Sequence, residues 1–264
     1  MKKYLVIGNP IDHSLSPLLH NYWFKQNNIN AIYNKEKLSH NDLENFFLRI
    51  RNKEIIGANV TVPFKKDVIE HLDALSLEAK STRSVNTIYL ENNKILGDNT
   101  DIKGFEMSIR DTGYNIEKKN VLVLGAGGVV PSIVFGLYNM KVAKVFLCNR
   151  TKTKAENLKN LFKNLEVINW GETPKIDMII NATSVGLNRE DKIDYDFSKF
   201  ANAEFFYDVI YNPKETNFLK TGKKMGKKLE NGKKMFIYQA AQSFKIWHQI
   251  DPEVNNEVNR LLDK

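Results

Sequence analysis

The chain has 264 residues, 42% of them hydrophobic and 27% charged, with a formal net charge of +8 and a pI near 9.3. This length and balance leave room for two domains with sizeable cores and exclude a disordered or fibrous polypeptide. One cysteine excludes a disulfide framework, and five histidines without paired ligand spacing argue against a zinc site.

Residues 4–7 form a first apolar strand. No signal-peptide pattern and no run of transmembrane length accompanies it, so a cytoplasmic protein without membrane contact is expected. Next comes Gly8-Asn-Pro-Ile-Asp-His-Ser14-Leu-Ser16-Pro17. Pro17 suits the first position of a helix and Ser16 its N-cap. A cap leaves Ser14 idle, whereas two hydroxyls beside a helix N-terminus also make a carboxylate site. Residues 29–37 read as a strand, and residues 41–51 as a helix with Leu43, Phe46, Phe47 and Ile50 at helical spacing.

Residues 57–65 alternate in polarity, which puts Asn59 and Thr61 on one face of a strand. Pro63 ends that strand. Helical periodicity then runs to Leu72 and places Lys65 near a helix N-terminus, the less favourable end for a cation and a setting suited to proton transfer. Residues 84–89 and 94–98 are two strands joined by the turn Glu91-Asn92-Asn93. The second runs into Asp98-Asn99-Thr100-Asp101. One aspartate caps a helix, and the group as a whole exceeds what a cap requires.

Residues 121–124 are a Val/Leu run that stops in Gly125-Ala126-Gly127-Gly128. A strand buried on both faces, a tight turn and a helix would set a pyrophosphate against free backbone N–H groups. Val130 stands where the dinucleotide fingerprint has its third glycine. A second strand, 143–148, ends roughly 20 residues beyond the glycines, where this plan reads the adenosine ribose. Asn149-Arg150-Thr151 with Lys154 stands there in place of an acid; a guanidinium and a nearby ammonium suit a 2′-phosphate, so NADP is favoured over NAD. A third strand, 176–181, runs into Ala182-Thr183-Ser184 at its C-terminal end, where ligands of open α/β sheets collect.

Residues 220–234 are rich in lysine pairs separated by Met225 and Leu229, with no aromatic platform for bases. A solvated lysine face that attracts small anions accounts for them, and no nucleic-acid partner is expected.

Taken in order, these motifs resemble those of the shikimate dehydrogenase family over nearly the whole chain. The matching stretches include Gly8-Asn-Pro-Ile-x-His-Ser-x-Ser-Pro17, Asn59-Val-Thr-x-Pro-Phe-Lys65, Val85-Asn-Thr-Ile88, Asn99-Thr-Asp-x-x-Gly104, Gly125-Ala-Gly-Gly128, Asn149-Arg-Thr151, Asn181-Ala-Thr-Ser-x-Gly186, Asp208-x-x-Tyr-x-Pro-x-x-Thr216 and Tyr238-Gln-Ala-Ala241. The resemblance implies an α/β fold of two domains, with the active site in a cleft. Residues 1–101 plus 235–264 would be the substrate domain and residues 102–234 the Rossmann-like NADP domain.

By the same resemblance Lys65 and Asp101 would be the catalytic pair. Ser14 and Ser16 would hold the substrate carboxylate, with Tyr211 beside it. Asn59, Thr61, Asn86, Asp101 and Gln239 would bind ring hydroxyls. Gly125, Ala126, Gly127, Gly128 and Thr183 would line the cofactor, with Asn149, Arg150, Thr151 and Lys154 at its 2′-phosphate. The implied reaction is NADPH-dependent, reversible reduction of 3-dehydroshikimate to shikimate by a cytoplasmic monomer or homodimer; a quinate/shikimate paralogue using NAD is the nearest alternative. Two departures stand out: Val130-Pro131 replaces small and basic residues, and Lys233-Lys234-Met235 replaces Leu-Gly-Met, which would bring a lysine near the nicotinamide amide.

Overall fold

The computed structural model describes residues 1–263, which divide into two compact units, Met1–Gly104 with Ile237–Lys264 and Phe105–Phe236. Among the described residues no helix is long and apolar enough to cross a membrane.

The first unit holds β1 (Lys2–Gly8), α1 (Ser16–Gln26), β2 (Ala31–Lys37), α2 (Leu43–Arg51), β3 (Gly57–Val60), β4 (Ala74–Leu75), α3 (Leu77–Thr82), β5 (Thr87–Glu91) and β6 (Lys94–Asp98). Its six strands form one sheet in the order β2-β1-β3-β5-β6-β4. β1 is parallel to β2 and β3, whereas β5 runs antiparallel to both β3 and β6. The β5–β6 turn works because Asn92 and Asn93 both adopt positive φ, which asparagine tolerates better than most residues. Leu5, Ile7, Phe46, Phe47, Ile50, Val60, Phe64 and Ile88 make the core on one side. An aromatic group, Trp23, Phe24, Tyr33 and Phe244, is buried around the fully enclosed His20.

After α4 (Asp101–Asp111), whose first residues belong to the first unit, the second unit holds β7 (Asn120–Leu124), α5 (Val130–Asn139), β8 (Lys144–Cys148), α6 (Lys152–Lys159), β9 (Leu165–Val167), β10 (Met178–Asn181), β11 (Phe205–Asp208), α7 (Asn217–Lys224) and β12 (Lys228–Glu230). All six strands are parallel, in the order β12-β11-β10-β7-β8-β9. β7, β10 and β11 are buried almost throughout, as their apolar runs require in a sheet covered on both faces. This is the doubly wound order of dinucleotide-binding sheets, with its switch point between β7 and β10. The chain closes with α8 (Lys233–His248) and α9 (Asn256–Leu261).

Candidate active site

The first sheet reverses its winding between β1 and β3, and the C-terminal ends of strands at such a point are where open α/β sheets gather functional groups. Register explains why the polar residues meet there. Val6 faces Asn59 across β1 and β3, Asn59 faces Thr87 across β3 and β5, and Thr87 faces Asp98 across β5 and β6. Because β5 is antiparallel, its beginning lies level with the ends of its neighbours, and Asn86, Thr100 and Asp101 are delivered to the same edge.

Lys65 and Asp101 are joined there. The ammonium donates to Asp101 Oδ2 at 2.5 Å, and Asn86 Nδ2 donates to Asp101 Oδ1 at 2.9 Å. Only 12% and 9% of the lysine and aspartate side chains are exposed. Opposite charges this well covered hold because each is compensated, and both carboxylate oxygens accept charge-assisted hydrogen bonds. Asn86 Nδ2 also reaches Gln239 Oε1 at 3.3 Å. Thr61 follows the end of β3 and is half-buried. Ser14 Oγ donates to Ser16 Oγ at 3.2 Å and accepts from the Ser16 backbone N–H at 3.3 Å.

Two local expectations change. Ser16 is not the N-cap of α1; it is the first helical residue, Leu15 holds the cap position, and no side chain caps the helix. The segment after Pro63 is not an α-helix beginning near Lys65. It is a series of turns followed by a short 3-10 helix, Asp67–His71, too short to carry a sizeable dipole, so the setting of Lys65 is fixed by Asp101 instead. Asn59 has both ends of its amide engaged. Tyr33 Oη donates to its Oδ1 at 2.8 Å, and its Nδ2 is within hydrogen-bond distance of Asn86 O, Thr87 Oγ1 and Ser243 Oγ at 3.1, 3.1 and 2.9 Å. With 6% exposure and both ends engaged, it holds the frame behind the site.

A separate cavity of about 1030 Å³ in this unit is bordered by His40, Lys66, Asp67, Glu70, His71 and Arg83 and includes none of the predicted site residues. Two of its acids face its own histidines, Asp67 to His40 at 2.9 Å and Glu70 to His71 at 3.7 Å.

In the second unit the glycine turn stands at the switch point. Gly125 has φ of 110°, and a Cβ there would come within 2.7 Å of Ala182 O at the end of β10, so only glycine fits. A Cβ on Gly127 or Gly128 would meet nothing within 4 Å, which leaves open space beside Ala126 and ahead of the α5 N-terminus. Val130 is fully buried, which accounts for the missing third glycine: the position packs into the core. At the end of β8, Asn149 Nδ2 donates to Thr151 O at 2.8 Å, and Thr151 is the N-cap residue of α6. Arg150 and Lys154 are exposed and form no ion pair among the described residues. A flexible phosphate-sized anion would meet an open backbone cradle and two free cations, a donor set that fits NADP.

Thr183 Oγ1 donates to Asn181 Oδ1 at 2.7 Å and accepts from the Val185 N–H at 3.0 Å, so its hydroxyl shapes the loop after β10. Tyr211 stacks on Phe236, with centroids 5.0 Å apart, and burial raises its phenol. Sequence reading gave Asp208 no role of its own. It is fully buried; Oδ1 accepts from Asn181 Nδ2 and the Ile210 N–H, both at 3.0 Å, and Oδ2 from Thr216 Oγ1 at 2.5 Å. Burial, the larger effect, pushes its carboxyl up to about 6 against these hydrogen bonds. Lys234 is held by Asp111 at 2.8 Å and Glu230 at 3.2 Å. Cys148 is buried, and burial pushes its thiol up to about 11, which leaves it unreactive.

Residues 6–88 match the shikimate dehydrogenase substrate binding domain, and residues 107–195 match the shikimate / quinate 5-dehydrogenase family. A shikimate dehydrogenase (NADP(+)) of Pelagibacter ubique is 56% identical over 262 residues, covering 99% of each chain. The crystal structure of shikimate dehydrogenase from Aquifex aeolicus superposes with a TM-score of 0.92 at 37% identity, over 100% of this chain and 98% of that one. The Thermus thermophilus shikimate 5-dehydrogenase, solved in complex with NADP(H) and shikimate, gives 0.91 at 28% identity, over 99% and 100%. A glycine turn at the switch point of one sheet, a lysine–aspartate pair at the switch point of another and full-length relatives of one name lead to a single assignment: the chain belongs to the shikimate dehydrogenase family.

Proposed function

We propose that this chain catalyses the reversible reduction of 3-dehydroshikimate to shikimate with NADPH, a cytoplasmic step in the biosynthesis of chorismate and the aromatic amino acids. The observation that carries the reading is the Lys65–Asp101 pair, enclosed and held by Asn86 at the edge where the polar side chains of the first unit converge. NADPH, when bound, supplies the hydride. Its pyrophosphate would rest on Gly125–Gly128, and its 2′-phosphate on Arg150 and Lys154 beside Asn149 and Thr151.

The protein's own part is orientation and proton delivery. Ser14 and Ser16 bind the substrate carboxylate. Thr61, Asn86 and Gln239 bind ring hydroxyls, and Asn59 supports them from behind. In reduction Lys65 gives its proton to the C3 oxygen while Asp101 holds the ammonium in place, and the hydroxyl so formed can then donate to Asp101; in oxidation the proton returns to Lys65.

The test is absorbance at the nicotinamide band with shikimate or quinate crossed against NADP or NAD. Fastest turnover with shikimate and NADP is the expected result. Preference for NAD or for quinate would support a quinate/shikimate paralogue instead, and no turnover with any pair would overturn the reading.

A further inference from the structure

Asn86 touches both Asp101 and Gln239, so the direction of its amide decides whether these groups meet a donor or an acceptor. One end is set unambiguously. The Thr100 backbone N–H, which can only donate, points to Asn86 Oδ1 at 2.8 Å, and ionised Asp101, which can only accept, faces Nδ2. Around that oxygen stand two buried hydroxyls. Thr100 Oγ1 donates to Oδ1 at 3.1 Å and Thr87 Oγ1 at 3.0 Å. Behind them lies Ser243, one helical turn beyond Gln239 on α8, with its Oγ 2.8 Å from Thr87 Oγ1 and 3.1 Å from Thr100 Oγ1. Ser243 also donates to the Gln239 backbone carbonyl at 3.0 Å and accepts from Asn59 Nδ2 at 2.9 Å. Thr87, Thr100 and Ser243 are 0%, 2% and 0% exposed, so none can touch a ligand.

We infer that Thr87, Thr100 and Ser243 are positioning residues that lock the Asn86 amide and the α8 turn carrying Gln239, and so set discrimination for the ring hydroxyls of the substrate. Each hydroxyl has one proton and more than one acceptor within reach, so the three share their donors among alternative arrangements, and removing one leaves a buried polar atom short of a partner. With a hydroxyl gone, the Asn86 amide keeps its direction from the Thr100 N–H and Asp101 but loses the contacts that fix its aim. Its donor is then less well aimed at Asp101 and the substrate hydroxyl together. The inference rests on the functional reading above, and the experiment separates the two.

The full-length protein is compared with Ser243→Ala, Thr100→Val and Thr100→Ser. For each, kcat and KM are measured with shikimate and with an analogue lacking one ring hydroxyl, together with NADPH affinity by fluorescence titration and Tm. The expected result is that Ser243→Ala and Thr100→Val lose roughly tenfold of the kcat/KM preference for shikimate over the analogue, with NADPH affinity unchanged, and that Thr100→Ser recovers most of that loss. A preference unchanged in folded Ser243→Ala, whatever its Tm, would overturn the inference, because a merely structural hydroxyl lowers stability without altering discrimination. So would a Thr100→Ser as damaging as Thr100→Val. If Thr100→Val does not fold, Ser243→Ala decides alone. Failure of the unaltered protein to oxidise shikimate would overturn the functional reading and this inference with it.

Discussion

Arg150 and Asp101 show two ways of using a charge. Asp101 is enclosed and has a donor on each oxygen, so its charge is committed before any ligand arrives. Arg150 is exposed with no ion pair among the described residues, so its charge is available to an incoming anion. A guanidinium pairs bidentately with a 2′-phosphate at a value of roughly 1.5 to 3 kcal/mol. Arg150→Asp is therefore expected to raise KM for NADP about tenfold or more while leaving KM for NAD nearly unchanged, measured by steady-state kinetics with each cofactor. Conspicuous residues of this kind were legible from sequence, because lysine, aspartate and arginine in irregular segments ask for an explanation. Thr87, Thr100 and Ser243 were not, since threonine near a strand and serine in a helix are ordinary, and only the register shows that they converge. Asn59 shows the same limit: alternation gives the face of a strand, and it does not reveal that Tyr33 and Ser243 hydrogen-bond the side chain there.

Among the elements, strands bounded by glycine or a polar turn were legible: β6 was read with its ends as they stand, and β7 to within one residue. The segment between Pro63 and Leu72 was not. Apolar residues at helical spacing fit a single 3-10 turn as well as an α-helix, and its five residues decide against the longer element. At the C-terminal end of the second sheet, Asp208 ties β10, the loop after β11 and the N-cap of α7 into one piece. Thr183 and Tyr211 lie on the loops so tied. Asp208→Ala strands three buried hydrogen-bonding groups and is expected to cost roughly 3 kcal/mol of stability and to weaken NADPH binding. Asp208→Asn keeps an acceptor and removes a desolvated charge, and should cost under about 1 kcal/mol. Denaturant unfolding and NADPH titration check both, and an Ala variant as stable as the parent would contradict the hub role.

At the scale of the molecule, buried titratable groups set the response to acid. Among the described residues neither ring nitrogen of His20 has a hydrogen-bond partner, and burial, assisted by His248, pushes it down to about 3. Its folded value lies below the unfolded one near 6.5, so the unfolded chain binds the proton first and stability is lost as pH falls through that window. His248, pushed down to about 4 by burial and by Lys2, acts in the same direction. Asp208 acts oppositely: its value near 6 lies above the unfolded 3.8, so protonation favours the folded state as pH falls through 6. His20→Gln is expected to reduce the slope of unfolding free energy between pH 5 and 6 by on the order of 1.4 kcal/mol per pH unit, read from denaturant curves. An unchanged slope would mean that His20 takes up its proton without unfolding.

The central claim is that a lysine held by an aspartate delivers the proton while the rest of the first unit binds the substrate. Its most direct test is the turnover of Lys65→Ala with shikimate and NADP, each varied separately across pH. The account predicts that kcat falls by roughly 10² to 10⁴, the usual share of general acid–base catalysis, while KM for shikimate stays within about tenfold of the parent. Near-normal turnover across the range would contradict it, making the Lys65–Asp101 pair a structural ion pair and leaving proton delivery to another group.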